Sequence, residues 1–547
     1  MATSVPSHQN PDVQAYSPGE SNNPGLVTTD SFKDLEEDYS YEADDVRPRH
    51  PSGVIAEIVE STHTTTSDSK ESNLEKSNSS GNKEDVSTDV NHVEDGKEHL
   101  SNDADVFTEG QEAEEQRVRS GSVLQKVETT TDVRIEEDVH SMKWKKHKKH
   151  IFILSEAGKP IYSRYGNEDK LVTLMGVIQA LISFVLDDKD CLRSVVAGGH
   201  LIVFLLRPPL ILVAAASTGE SQQQLLLQLR YMHNQILSVL THTQLTKIFE
   251  QRRNYDLRRL LSGTEKFLNS LADLMDTDPC FLLSAVRGLP LDVSVRDVIG
   301  QSMQSAKIKD LVFAILIADG QLVTLVHMKK YILHPADLHL VINLLKASSA
   351  FETSDSWVPI CLPNFDSSGY LYSHISYLDH SPACLLLLTV DQMAFKEMEN
   401  CKQKIVEKLR KYNCLAAIKR AIKTGSYTCQ EVGVGELRHF LYKNKSTAQF
   451  TSPSWGAPYS EPEEQERLYS LYRFVHQKVH NQARPLKILF YVGAHESVLG
   501  WVTTGFEMYA VFSPLTTKQV AILAINKILK WIKREEDRLF ILNPPEY

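Results

Sequence analysis

Cysteine is scarce in this chain, seven in 547 residues, and the seven lie scattered. Cys191, Cys280, Cys361, Cys384, Cys401, Cys414 and Cys429 form no C-x-x-C pair, and several stand within apolar runs. That spacing favours reduced, mostly buried thiols in the cytosol over a disulfide frame or a zinc site. Long hydrophobic runs are missing as well. The most apolar window, 201–216, is interrupted by Arg207, Pro208 and Pro209, whereas spanning a bilayer takes about 20 consecutive apolar residues. It predicts two buried strands joined by a Pro-Pro turn. No basic-then-apolar signal pattern opens the chain, so a soluble or peripheral protein is expected.

Chemistry-bearing constellations are equally thin. No nucleophile with its base and no phosphate loop stands out. His334 and His339 are off the three- or four-residue spacing that puts two ligands on one helix face, and His147 and His150 lie in a lysine run that repels cations. No metal and no cofactor are expected. Gly433 and Gly435 lack the rest of a dinucleotide fingerprint and read as a loop. A docking platform remains.

Charge is abundant but segregated. Residues 1–140 carry 32 acidic and 11 basic side chains, a net of −21, and few aromatics; the remainder is net +10, which together give −11. Burial in such a tail cannot offset roughly 1–2 kcal/mol of backbone entropy per ordered residue, so disorder is expected there. Ser67, Ser69 and Ser72 among acids, and Ser120 and Ser122 behind Arg117 and Arg119, are candidate phosphorylation sites, each adding about −1.5 to −2 charges. The acidic tail is expected to cover a basic face of the body.

The body reads as one grammar used three times. HIFILSEAGKPIYSRYG at 150–166 is a β-hairpin whose Gly158 and Pro160 reverse the chain. A helix at 168–186 follows, with Leu171, Leu174, Met175, Ile178, Leu181, Ile182 and Val185 at helical spacing. Three strands near 192–196, 201–206 and 210–216, and a helix at 220–240, close the unit, with 244–251 as one more helix. The pattern returns from residue 311, with a helix at 334–345, strands at 357–362, 369–378 and 384–390, and a basic helix at 392–412. It returns again from residue 434, with strands at 486–492, 498–503 and 506–512, helices at 461–479 and 517–534, and a last strand at 538–542. Antiparallel strands flanked by helices make the fold class α+β. The expected domains are a tail 1–147, modules 148–253, 308–430 and 431–547, and a helical connector 254–307.

The opening hairpin, NYDLRRLL at 254–261, PICLPNF at 359–365, LRHFLYK at 437–443, QFTSP at 449–453 and REEDRLFI at 534–541 resemble the Mon-type subunits of Mon-Ccz vacuolar fusion complexes. The matches are spread over the whole folded body. The resemblance implies three longin domains, an obligate Ccz-type longin partner, and guanine nucleotide exchange on a late-endosomal Rab GTPase of the Rab-seven class. It also implies recruitment by an early-endosomal Rab of the Rab-five class and by phosphoinositide membranes, and a cytoplasmic protein recruited peripherally to endosomes and lysosomes during endosome maturation. A non-catalytic longin tether or sorting adaptor is the alternative.

An exchange factor acts by differential binding to two states of its GTPase and needs a contoured surface rather than a triad. By the resemblance, the first module supplies it. Candidate interface positions are Ser155, Glu156 and Lys159 in the hairpin turn and Arg164 and Tyr165 at its exit, against the alternative of a plain turn. Accessible residues of the next helix join them, with Leu171, Met175 and Ile178 as core. Arg258 and Arg259 are candidates for a partner clamp or a capped connecting helix. Trp357, at an expected strand start, is the candidate contact for the recruiting Rab or else core filling, while Trp501 and Trp531 look buried. Lys143, Lys145, Lys146, Lys148 and Lys149 are candidates for anionic lipid. So are Lys404, Lys408 and Lys411, in a region that also holds Lys402, Arg410, Lys419, Arg420 and Lys423. Nucleic acid is the rival anion, but no nucleic-acid fold accompanies the patch.

Overall fold

The computed structural model describes residues 137–252 and 255–547, all within the compact unit Ser101–Tyr547. Residues 1–136, Ser67, Ser69, Ser72, Ser120 and Ser122 among them, lie outside the described residues. So does Asn254 at the head of NYDLRRLL.

Each module is a five-stranded antiparallel unit wound the same way. In the first, the hairpin β1 (Lys149–Ser155) and β2 (Pro160–Ser163) leads to helix α1 (Val172–Asp187). The meander β3 (Ser194–Ala197), β4 (His200–Arg207) and β5 (Leu210–Ala216) and helix α2 (Gln222–Val239) follow. The strand order is β2-β1-β5-β4-β3. Because side chains alternate along a strand, Ile151 and Ile153 of β1 face α2, whereas Phe152 and Leu154 face α1. A strand covered on both faces must be apolar throughout, as HIFIL is. Ser221 caps α2, accepting from the Gln224 amide while the Gln224 side chain returns to the Ser221 N–H.

The second module repeats this with β7 (Leu311–Ala318), β8 (Gln321–His327), β9 (Ser356–Leu362), β10 (Asp366–Tyr377) and β11 (Ala383–Thr389), ordered β8-β7-β11-β10-β9. The third uses β12 (Leu437–Asn444), β13 (Gln449–Thr451), β14 (Ile488–Val492), β15 (Ser497–Val502) and β16 (Phe506–Phe512). Between α2 and β7 lie α3 (His242–Gln251), α4 (Glu265–Thr277), β6 (Val286–Arg287) and α5 (Val293–Gln304). Thereafter come α6 (Pro335–Lys346), α7 (Phe395–Lys411), α8 (Cys414–Thr424), α9 (Pro462–Val479) and α10 (Lys518–Arg534).

Two expectations need correction. Segment 254–307 is helical, but it does more than connect. Leu268, Leu271 and Met275 of α4 enter the core shared by the first and third modules. β6 pairs in parallel with β13 and so extends the third sheet, and Ile299 and Met303 of α5 enter the core of the second. The strand expected at 538–542 is absent, and a short helix, Glu536–Leu539, stands at its start. The carbonyls of Asp537, Arg538 and Phe540 accept from the buried Arg296 guanidinium, and the Arg538 carbonyl also accepts the Leu291 N–H, so side-chain and loop bonds hold this segment in place of a strand ladder.

Candidate partner-docking face

Helix α1 carries two apolar stripes. Met175, Ile178 and Ile182 pack on the first sheet beside Leu171, as expected. Leu174, Val177, Leu181 and Phe184 run along another side at the same helical spacing and face outward, Phe184 with 71% of its surface exposed. Residues 168–187 are therefore long and apolar enough to cross a bilayer, a property the sequence reading assigned to no helix. The packing of the inner stripe on the sheet makes α1 the flank of a folded domain. A contiguous exposed apolar strip on such a flank has the character of an interaction surface.

The neighbouring edge strand belongs to the same face. β3 ends the sheet, so one row of its backbone groups has no strand partner, and Val196 is 78% exposed. Leu192 and Val195 pack against the cluster that holds the inner stripe of α1, which ties helix and edge into one surface. The hairpin turn borders it, since Gly158 sits with φ +77° so close to Gln179 of α1 that a Cβ would lie 3.3 Å from the Gln179 Cβ. An L side chain would be strained in that backbone as well as crowded.

The turn residues divide by burial. Glu156 and Lys159 are exposed, but Ser155 is buried and its Oγ accepts the Lys159 N–H at 3.2 Å, which makes it a clasp of the turn. Arg164, expected to face outward, is buried between Asp273 (3.1 Å) and Asp276 (2.7 Å) of α4. Tyr165 is half-buried, its ring stacked 3.7 Å from His147 and its carbonyl accepting from Trp144 Nε1. Arg258 grips Asp256 and reaches Asp169 Oδ1 at 2.7 Å, joining its own turn to the entry of α1. Arg259 is exposed.

Of the lysine run, Ser141 caps a short helix, Met142–Lys146, pinned by Trp144, and Lys143, Lys145 and Lys146 project from it into solvent. Lys143 reaches Glu137 at 3.2 Å, and Lys148 reaches Glu466 of α9 at 2.8 Å. Lys149 is no lipid contact. It is buried, with Asp276 at 2.6 Å, Glu220 at 2.7 Å and Gln228 at 2.9 Å. Burial opposes charge on Asp276 and Glu220, yet the Lys149 ammonium, with Arg164 at the first and Arg473 at the second, holds both carboxyls below the usual range.

On the second module, Lys404 and Lys411 are exposed on α7, Lys411 with its ammonium 5.6 Å from the Tyr412 ring centroid, while Lys408 is half-buried and donates to Ser305 Oγ. Acids are less sparse than the sequence suggests, since Lys402 pairs with Asp355 and Arg410 with Asp379. Trp357 lies half-buried on edge strand β9, its ring over Tyr372 at 6.0 Å with Phe395 edge-on at 5.8 Å. Phe395 is itself partly exposed, and Met393, two residues before it in the chain, is exposed. Trp501 and Trp531 are buried, as expected.

The comparisons fall on this framework. Residues 149–271, 309–407 and 436–536 match the first, second and third longin domains of FUZ, MON1 and HPS1 respectively. The chain is 48% identical over 413 residues to the chicken (Gallus gallus) vacuolar fusion protein MON1 homolog A, covering 75% of each protein. It is 49% identical to the pufferfish (Takifugu rubripes) protein SAND over 75% of this chain and 79% of that one. It is 41% identical to the human (Homo sapiens) vacuolar fusion protein MON1 homolog B over 75% and 78%. With three longin domains in the family's order and such identity along the whole folded body, the chain belongs to the MON1 family.

Proposed function

We propose that this chain is one half of a heterodimeric guanine nucleotide exchange factor that acts on a late-endosomal Rab of the Rab-seven class during endosome maturation and vacuole or lysosome fusion. The relatives' names place those proteins in vacuolar fusion. The observation that supports the reading is the outer face of α1 with edge β3, an exposed apolar surface on the first longin domain that a second longin domain of the Ccz type would cover. Glu156 and Lys159 border that surface and are the residues offered to the GTPase. Exchange of this kind makes and breaks no covalent bond. It requires that the composite surface bind the nucleotide-free GTPase more tightly than the loaded one.

Recruitment uses separate surfaces. Trp357 with Phe395 and Met393 is the contact for an early-endosomal Rab of the Rab-five class, and exposed Lys145, Lys146, Lys404 and Lys411 meet phosphoinositide headgroups. The test is release of a fluorescent guanine nucleotide from the late-endosomal Rab, with the purified heterodimer and then with each subunit alone. Acceleration by the heterodimer only is expected. An unchanged release rate with intact binding would instead identify a tether or sorting adaptor.

A further inference from the structure

α9 ends on two histidines one turn apart, above a buried carboxylate. His476 and His480 stand at i and i+4, so their rings leave one helix face, with centroids 4.3 Å apart. Glu507 on β16 is buried, and its Oε1 lies 2.8 Å from His480 Nε2 and 3.6 Å from His476 Nε2. One ligand atom from each of the three lies within 4.8 Å of the others. We propose that His476, His480 and Glu507 bind a divalent transition-metal ion, zinc being the one their chemistry suits best.

Two imidazoles and one carboxylate with an open fourth position form a recurrent zinc ligand set. The open position is available, because both histidines line a cavity of about 150 Å³ with Gln224, Gln477 and Arg473. Tyr509 OH donates to Glu507 Oε1 at 2.6 Å and so fixes the carboxylate, as outer-shell partners of metal ligands do. Lys443, the cation that shares the field of Glu507, spends its ammonium on the Leu283 carbonyl. A hydrogen-bonded His-Glu pair accounts for His480 but not for His476, whose Nε2 faces the carboxylate from beyond hydrogen-bond range. An ion about 2.0–2.1 Å from each nitrogen fills that gap. The segment HQKVH, 476–480, has the spacing of the H-E-x-x-H zinc proteases with glutamine where their general base stands. An amide takes up no proton at neutral pH, so the site binds without hydrolysing.

Gln224 supplies a distinguishing test. Its amide N–H donates to His476 Nδ1 at 3.1 Å while its Oε1 accepts the Ser221 N–H at 3.0 Å. A metal on Nε2 requires a protonated Nδ1, so Gln224 must turn its carbonyl to His476 and release the Ser221 N–H, one of the two bonds of the α2 capping box. A glutamate there serves both groups with separate oxygens. The experiment uses the full chain carrying Cys191→Ser, which removes the exposed thiol. After chelator treatment it is titrated with Zn²⁺ by calorimetry and with Co²⁺ by visible absorption. One ion per chain and a low-coordinate Co²⁺ band are expected. Glu507→Gln and His480→Ala should each lower affinity by about 100-fold or more, and Gln224→Glu should raise it severalfold. Glu507→Gln keeps an acceptor for His480, so it decides the matter if His480→Ala fails to fold, with the metal-free melting temperature as control. Absence of the Co²⁺ band in the parent chain, or unchanged affinity in Glu507→Gln, would overturn the site.

Discussion

Lys149 Nζ lies 2.7 Å from Glu220 Oε2, and the two side chains are 2% and 1% exposed. The pair is the middle of a buried network that runs from Asp276 of α4 to Arg473 of α9, so it joins the first longin domain to the third. Removing one member strands the others. Lys149→Met should cost roughly 3–5 kcal/mol, because the buried Glu220 carboxylate loses its nearest cation. Denaturant unfolding of the full chain measures it, and adding Glu220→Gln to Lys149→Met should recover part of the loss.

That network also marks where sequence reasoning stops. The three-module grammar was legible because strands such as HIFIL and LVFAILI are covered on both faces and helices keep their 3.6-residue period. The inner stripe of α1 was legible for the same reason. Lys149 and Arg164 were misplaced because a lysine run and a turn exit ordinarily face solvent, and their carboxylates at 220, 273 and 276 come from distant elements. Segment 254–307 misled likewise, since a two-residue strand such as β6 leaves no period to read. HQKVH carries an i,i+4 histidine signal, but its carboxylate, Glu507, comes from a strand 27 residues beyond His480.

The outer stripe of α1 separates docking from folding. Leu181→Asp with Phe184→Asp alters exposed side chains only, so stability should stay within about 0.5 kcal/mol per change. Two charges at the centre of the proposed interface should nevertheless abolish assembly with the proposed Ccz-type partner. Size-exclusion chromatography of the co-expressed subunits reads the outcome. A heterodimer that survives the double substitution would move the docking face elsewhere.

Burial lowers His339 to about 4, with the Ala285 carbonyl and Asp278 opposing the shift, His334 adding to it, and Tyr231 OH on Nδ1. Between pH 6.5 and 4 the unfolded state therefore binds a proton that the folded state refuses. Stability must fall as pH drops through that window, by up to about 1.4 kcal/mol per pH unit for this one group. His339→Gln should flatten the curve by one proton even where it lowers stability overall. Denaturant midpoints measured from pH 7.5 to 5 give the slope.

The basic face on α7 makes a prediction that depends on which cations are already neutralised. Lys402 and Arg410 sit on Asp355 and Asp379, so their contribution at an anionic surface is largely cancelled. Lys404 and Lys411 are exposed, and each is worth about 1 kcal/mol beside anionic lipid. Lys404→Ala with Lys411→Ala should accordingly weaken binding to phosphoinositide vesicles by roughly 30-fold. Lys402→Ala should change it little. The loss should shrink as salt rises, since surface attraction is screened within about 10 Å at 0.1 M. Vesicle co-sedimentation at two ionic strengths checks both statements, and equal losses from the two kinds of variant would mean that the ion pairs open at the membrane.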